Sequence, residues 1–277
     1  KEKISDIEVT FVNTETLADE GLAVVHEQDL RVSAIVKGKR SVINEMKKTG
    51  LTATVDVADA SEGKNRGKVE LELPSGVTLD SISDDTISYR VEKSIEVKKT
   101  VEIDFVGDTG NDKDLVPWAY DMYPDTVTVT GAESVVNEVD AVRGKITSNV
   151  VSESPKTVEV ELMAVKKDGT EVQGVVLNHS KAKTTVRLME TRDVDVTITP
   201  KNMENGKEVD SISGVDSVKV VGTSEALADL DSVSATVDVS DIKSQGKKEL
   251  NFSLPAGEYL YNKGNSTEVT AKIKTAQ

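Results

Sequence analysis

The stretch VSAIVKG, residues 32–38, alternates apolar and polar side chains and ends in a glycine. Shorter versions recur as VTVTG at 127–131 and as VKVVG at 218–222, so that Gly38, Gly131 and Gly222 lie 93 and 91 residues apart. Alternation with a period of two residues is typical of a half-buried β-strand. A strand that recurs at a nearly constant spacing indicates a chain built from copies of one unit.

Each of these glycines is followed, five and eight positions further on, by two apolar residues. A spacing of three places both side chains on one face of a helix. The pairs are Ile43 and Met46, Val136 and Val139, and Leu227 and Leu230. The sequence therefore predicts one helix of about two turns per copy, and Ser41, Ser134 and Ser224 are the predicted N-caps.

Another alternating strand precedes each glycine strand. It contains Ile7, Val9 and Phe11 in the first copy, Val101, Ile103 and Phe105 in the second, and Val194, Val196 and Ile198 in the third. The predicted correspondence spaces these strands by 94 and 93 residues, which agrees with the spacing of the glycines.

Two further marks follow the predicted helix. The triplet Val-Asp-Val stands at 55–57 and 237–239, and its aspartate is predicted to cap a turn. Leu-Pro-x-Gly stands at 73–76 and 254–257, whereas the middle copy has Leu162-Met163-Ala164 in the region leading to it.

The fold class predicted from these marks is mainly β with one short helix per repeat. The copies are expected to span 1–93, 94–189 and 190–277 as three tandem modules in an elongated array. Because no stretch rich in proline, or in glycine and serine, separates the copies, we expect a moderately stiff chain of modules.

Composition narrows the classes of function. The 277 residues carry a formal net charge of −15 and contain no cysteine. Such an acidic chain repels nucleic-acid phosphates and, as a whole, an anionic membrane surface. A disulfide, a thiolate nucleophile and a cysteine-based metal site are excluded. Aromatic residues are 3% of the chain, so the cores are expected to consist of Val, Leu and Ile.

The order of these marks resembles that of the YbbR-domain family, in three copies over essentially the whole chain. The resemblance implies small twisted β modules of the swapped-hairpin barrel kind. It also implies the extracellular location of a protein anchored by an N-terminal membrane helix, which would precede Lys1, on Gram-positive cells. The implied partner is a membrane diadenylate cyclase, the enzyme that makes cyclic di-AMP, and other components of the cell envelope are possible partners.

The search for catalytic and metal-binding residues favours a protein that is not an enzyme. His26 and His179 lie in different copies, without a nucleophile motif beside either. The triplet Asp108-Thr109-Gly110 occurs once, whereas aspartic proteases need two carboxylates that share a proton. Asp108, Asn111, Asp112 and Asp114 could supply oxygen ligands to calcium, but a hairpin tip is the simpler interpretation. We expect no cofactor, since no glycine-rich phosphate loop is present.

The candidate partner-contact residues are Trp118, Tyr120 and Tyr123. Trp and Tyr are favoured as anchors at protein interfaces. Trp118 stands 13 residues before Gly131, as Val25 and Val209 stand before their own glycines, so packing within or between modules is the alternative interpretation. Two functions follow: an extracellular regulator of a diadenylate cyclase, or a structural spacer or adhesion stalk. An enzyme with an unrecognised site is a third, weaker hypothesis.

Overall fold

A computed structural model describes residues 1–25, 30–109, 115–261 and 267–276. About 60% of the residues lie in strands and 10% in helices, which confirms the mainly β prediction. The buried side chains are almost all Val, Ile, Leu and Ala, as expected for a chain so poor in aromatic residues. Small β-branched side chains pack well on a pleated sheet surface.

Within its described residues, the first part of the chain contains eight strands and two helices. The elements are β1 (Glu2–Val12), α1 (Thr14–Asp19), β2 (Leu22–Val25), β3 (Arg31–Gly38), α2 (Arg40–Thr49), β4 (Ala53–Asp56), β5 (Gly63–Lys68), β6 (Glu70–Leu71), β7 (Val77–Ile82) and β8 (Thr86–Val106). Five of these strands form a sheet with the order β6-β4-β1-β3-β7, in which β1 is parallel to β4, while β2 and β5 both pair with β8.

The following part of the chain repeats this order around β8. The elements are β9 (Val116–Tyr123), β10 (Thr126–Ala132), α3 (Glu133–Val136), β11 (Ala141–Thr147), a 3-10 helix (Ser148–Val150), β12 (Lys156–Val165), β13 (Val175–Leu177) and β14 (Lys181–Lys201). The neighbouring strands are in the order β12-β11-β8-β10-β13, and β9 pairs with β14.

The last part repeats the order again around β14. The elements are β15 (Lys207–Ser213), β16 (Ser217–Gly222), α4 (Ser224–Leu227), β17 (Ser232–Asp238), β18 (Gln245–Glu249), β19 (Asn251–Ser253), β20 (Tyr259–Leu260) and β21 (Glu268–Thr275). The neighbouring strands are in the order β19-β17-β14-β16-β20, with β14 parallel to β17, and a separate three-stranded sheet has the order β15-β21-β18.

The chain forms two compact units. The first comprises Lys1–Asp104, Tyr123–Lys145 and Glu159–Lys183 and contains a core of buried residues drawn from positions 7–91. The second comprises Phe105–Met122, Ile146–Val158 and Thr184–Gln277 and contains a core drawn from positions 194–273. Each of these two cores is therefore built from a single stretch of about eighty to ninety residues.

Two strands, β8 and β14, are each 21 residues long. They carry the chain without a break through the predicted boundaries near residues 94 and 190. This continuity agrees with the absence of a flexible linker composition in the sequence.

A helix exists at each predicted place and the predicted apolar pairs are buried, but Val139 and Leu230 lie beyond the ends of α3 and α4. All six side chains are less than 9% exposed: Ile43, Met46, Val136, Val139, Leu227 and Leu230. The lengths differ from the prediction, since α2 has ten residues whereas α3 and α4 have four, and α1 was not predicted.

The predicted serine N-caps are wrong. The N-cap residues are Lys39, Ala132 and Thr223, and of these only Thr223 accepts a hydrogen bond through its side chain, from the Ala226 amide at 3.1 Å. A carboxylate from a neighbouring strand takes the role at α3, where the Ser134 amide donates to Glu92 Oε2 at 3.0 Å. Ser224 lies inside α4 and donates through its hydroxyl to Glu190.

The glycine that recurs at the end of the β3, β10 and β16 alternation lies against the carbonyl of a second glycine. A Cβ atom added at Gly38 would lie 2.9 Å from the carbonyl oxygen of Gly76, and one added at Gly131 would lie 3.1 Å from that of Gly174. The third pair, Gly222 and Gly257, has the same arrangement at 3.5 Å. A side chain at Gly38 or Gly131 would meet the facing backbone, whereas one at Gly222 would first meet the side chain of Leu227, 3.0 Å from the added Cβ atom.

The middle copy also has the turn glycine, at a later position than the sequence marks indicate. Leu162 pairs with Gly144, as Leu71 pairs with Ala53, but Gly174 follows it only after an inserted hairpin at 166–170. In that hairpin the Lys166 amide donates to the Thr170 carbonyl at 2.9 Å. The insertion displaces the glycine along the sequence without removing it from the fold.

One predicted correspondence is shifted by two residues. In the parallel pairs, Val9 lies opposite Ala53 and Ile198 lies opposite Ala235, so Ile198 is the counterpart of Val9, rather than Val196. Alternation has a period of two, and a shift of two residues leaves the pattern unchanged. The residues that follow or end these strands, Asn13, Gly107 and Asn202, all have a positive φ, between 58° and 88°.

Candidate functional site

Four aromatic side chains gather in the second unit, which we call the aromatic cluster: Trp118, Tyr120, Tyr259 and Tyr261. The Trp118 ring centroid lies 6.0 Å from that of Tyr259 and 6.1 Å from that of Tyr261. The centroids of Tyr120 and Tyr259 are 5.7 Å apart. All four residues are half-buried, and tilted aromatic pairs at such distances attract one another beyond the burial of their area.

Backbone pairing positions the cluster. Tyr259 stands on β20 opposite Val221 of β16, and the Tyr261 amide donates to the Lys219 carbonyl at 2.9 Å. Thr184 of β14 is fully buried and donates through its hydroxyl to the Tyr120 carbonyl at 2.8 Å. Two rings on β9 are thereby held against two rings at the edge strand β20.

The cluster contains one polar atom that is buried without a partner among the described residues. It is Nε1 of Trp118, which carries a hydrogen-bond donor. A buried donor left unpaired costs free energy. Burial also raises the pKa of Tyr259, and the nearby carboxylate of Asp121 acts in the same direction.

The three predicted contact residues have different environments. Trp118 and Tyr120 belong to the aromatic cluster, whereas Tyr123 has 76% of its surface exposed. Their role as partner contacts stays a prediction. Sequence reasoning missed Tyr259 and Tyr261, because about 140 residues separate them from Trp118 and no local pattern links the two segments.

Glu258 is a buried carboxyl in an otherwise apolar position. It follows the positive-φ Gly257, as Val77 follows Gly76 and Val175 follows Gly174. Glu258 is 7% exposed, and its Oε2 is buried without a partner in the described part of the chain. Desolvation raises the pKa of this carboxyl above its usual value.

The aspartates of the two Val-Asp-Val triplets cap turns, as predicted. Asp56 Oδ1 accepts a hydrogen bond from the Ala58 amide at 2.9 Å, and Asp238 Oδ1 accepts one from the Ser240 amide at 2.9 Å. These backbone hydrogen bonds lower the pKa of both carboxyls, and the side chains of Asn13 and Asn202 add to the effect. Asn202 donates to Asp238 at 2.7 Å.

The remaining candidates yield no assembled chemical site in the described ranges. His26 and the stretch 110–114, which contains Gly110, Asn111, Asp112 and Asp114, lie outside the described residues. Among the residues that are described, no three His, Cys, Asp or Glu side chains are grouped as metal ligands. Over the same ranges, no helix has both the length and the apolar character that a membrane span requires.

Comparison with known proteins shows a family similarity for part of the chain. A family model described as "YbbR-like protein" matches residues 100–188. A search of curated proteins found no match.

Two solved structures show similarity to the chain. One is a YbbR-like protein from Streptococcus pneumoniae TIGR4, at 15% identity and a TM-score of 0.47, over 68% of this chain and 93% of that chain. The other is a YbbR-like domain from Listeria monocytogenes, at 19% identity and a TM-score of 0.28, over 33% of this chain and 92% of that chain.

The matched segment corresponds to the middle copy, the one whose sequence marks are weakest. It spans the strands from β8 to β14 that repeat the pairing order of the first part of the chain. Residues 100–188 are therefore similar to a YbbR-like domain.

Proposed function

We propose that the chain consists of three tandem YbbR-like modules, at 1–93, 94–189 and 190–277, each of the swapped-hairpin barrel kind. Three observations support this proposal. The order of five paired strands recurs around β1, β8 and β14. A positive-φ residue follows or ends the corresponding strand segment in each copy, and a glycine lies against a second glycine's carbonyl in each copy.

The function proposed for this array is that of the non-catalytic, extracellular part of a membrane-anchored regulator. Its partner is a membrane diadenylate cyclase, whose output of cyclic di-AMP it modulates. The observation that carries the proposal is the match of residues 100–188 to the YbbR-like family, placed among two further copies of the same strand order. The cyclase and the location come from the family resemblance.

The environments of the titratable side chains support a binding role. In the described ranges, titratable groups are paired mainly in exposed ion pairs along the strands, such as Lys181 with Glu159 at 2.9 Å. Desolvation alone accounts for the raised pKa of Glu258, and among the described residues no base perturbs it as the partner in an acid–base couple would. We assign partner contact to Trp118, Tyr120 and Tyr123.

Co-expression tests this function. The full-length protein and the candidate cyclase are produced together in a cell that lacks both, and cyclic di-AMP is measured with and without the full-length protein. A changed level at equal amounts of cyclase supports regulation. An unchanged level contradicts it.

A structural spacer or adhesion stalk is the second candidate, and one observation favours it. The 21-residue strands β8 and β14 pass through the proposed module boundaries without a linker, as expected for an array that holds a partner at a distance from the cell surface. Replacing one module by an unrelated domain distinguishes the two functions. A spacer tolerates replacement of that module by an unrelated domain of equal length, whereas a regulator loses its effect on cyclic di-AMP.

A further inference from the structure

The charge around α2 is opposite to that of the chain as a whole. Between residues 37 and 49 there are five basic residues and one acidic residue, a net charge of +4 in a chain of net charge −15. The basic residues, which we call the α2 patch, are Lys37, Lys39, Arg40, Lys47 and Lys48. All five are exposed, while Ile43 and Met46 of the same helix are buried in the core.

The corresponding segments of the other two copies have the opposite sign. Residues 130–142 and 221–233 each contain three acidic residues and no basic residue. The helices there have Glu133 and Glu225 in their first turns. The first turn of α2 contains Arg40 and has no acidic residue. Cations at a helix N-terminus interact unfavourably with the helix dipole, so the basic residues at the start of α2 do not stabilise the helix.

Acidic neighbours neutralise only part of the α2 patch. Asp80 is shared by Lys37 and by Lys1, whose Nζ lies 2.7 Å from Asp80 Oδ2. Glu2 accepts from Lys47 at 2.5 Å and also lies near Arg40, and both cations lower the pKa of its carboxyl. Within the described part of the chain, no ion pair is formed by Lys39 or Arg40.

We propose that the α2 patch docks on the headgroups of an anionic lipid membrane. Charge complementarity to such a surface is confined to the first module, and basic residues near an anionic surface contribute about 1 kcal/mol each. At physiological ionic strength the Debye length is about 8 Å, so the acidic remainder of the chain is screened from a surface that α2 touches. This inference rests on the proposed function only for the location of the chain beside a membrane.

Docking through α2 orients the first module on the membrane. The apolar face of α2 stays in the module core, so the contact is electrostatic and involves no insertion of the helix. An acidic module surface, such as those of α3 and α4, would be repelled by the same lipids. The first module is thereby the one selected to face the bilayer.

The test is co-sedimentation of the chain with vesicles, and it requires no cyclase. Vesicles of phosphatidylglycerol and phosphatidylcholine are compared with vesicles of phosphatidylcholine alone, at low and at physiological salt. The double variant Lys39→Gln, Arg40→Gln is expected to lower the partition coefficient about 25-fold, from two charges at about 1 kcal/mol each. The matched control Lys64→Gln, Lys243→Gln removes the same charge from exposed sites in other segments and is expected to leave binding unchanged.

Three results with vesicles would overturn the proposal: no binding to the anionic vesicles, whether or not inorganic polyphosphate binds; equal binding to the neutral vesicles; or an equal loss in both double variants. Self-association of the chain without vesicles, lost in the Lys39 and Arg40 variant, would show instead that α2 meets the acidic helices of a second copy and would also overturn it. Thermal unfolding of both variants verifies that they fold. A failure to bind vesicles does not affect the cyclase proposal, because that proposal is tested by measuring the level of cyclic di-AMP.

Discussion

Replacing Glu258 by valine is expected to stabilise the protein, because valine restores the apolar residue that stands at positions 77 and 175. Glu258 is 7% exposed, and its Oε2 has no partner among the described residues. A buried polar group left unsatisfied costs about 1–3 kcal/mol. Removing that cost raises the free energy of unfolding by about the same amount, which corresponds to a Tm increase of roughly 4–12 °C.

The gain depends on pH, and its sign follows from desolvation. The folded state raises the pKa of Glu258 above the usual value of 4.5. Below pH 4.5 the carboxyl is protonated in both the folded and the unfolded state, so ionisation costs no stability. As the pH rises toward the folded-state pKa, the unfolded state releases its proton first, and the native protein loses stability. The valine variant therefore gains more at pH 7 than at pH 4.

Thermal unfolding of the wild type, Glu258→Val and Glu258→Gln at both pH values measures these effects. The glutamine variant is expected to remove the pH-dependent part of the cost and to keep the part that comes from an unpaired polar group. Glu72→Val, at an exposed position, is the control and should change stability by less than about 0.5 kcal/mol. A Glu258→Val variant that is less stable than the wild type at pH 7 would show that the buried carboxyl does not destabilise the fold.

Three further predictions concern turns, the aromatic cluster and the modules. Asp238→Ala is expected to lower stability more at pH 7 than at pH 2, because the folded state lowers the pKa of Asp238, and the contribution present above pH 3.8 is lost as the pH falls through that lowered pKa; denaturant unfolding at both pH values measures this. Trp118→Ala should cost about 1–3 kcal/mol in thermal unfolding, whereas Tyr123→Ala should cost less than about 0.5 kcal/mol; equal effects would contradict the placement of Trp118 against Tyr259. A fragment of residues 190–277 should unfold cooperatively by circular dichroism, since the core of positions 194–273 lies within it, and a fragment without a cooperative transition would contradict the proposed boundary.

The sequence predicted those features that depend on a local pattern. The alternating strands and the buried apolar pairs have physical causes that act over a few residues. The terminal glycines were found by their recurrence at nearly one spacing, although the contact that requires them at Gly38 and Gly131 is with a distant glycine. The capping role of Asp56 and Asp238 was likewise predicted, because an aspartate reaches the amide two residues further along.

The features that the sequence did not reveal depend on distant pairing. Gly174 was missed because an inserted hairpin separates it from Leu162. The shift between Val196 and Ile198 was missed because alternation looks the same after two residues. The aromatic cluster joins β9 to β20, and Glu258 is unusual only when it is compared with Val77 and Val175 across the aligned folds.

The proposed regulatory role is tested most directly by physical association with the enzyme. The full-length protein and the candidate diadenylate cyclase are co-expressed in one membrane, solubilised in mild detergent and purified through a tag on either partner. We expect each partner to recover the other in a constant ratio, and deletion of residues 1–277 to abolish the change in cyclic di-AMP. Recovery of each protein alone, from membranes that contain both in folded form, would contradict it.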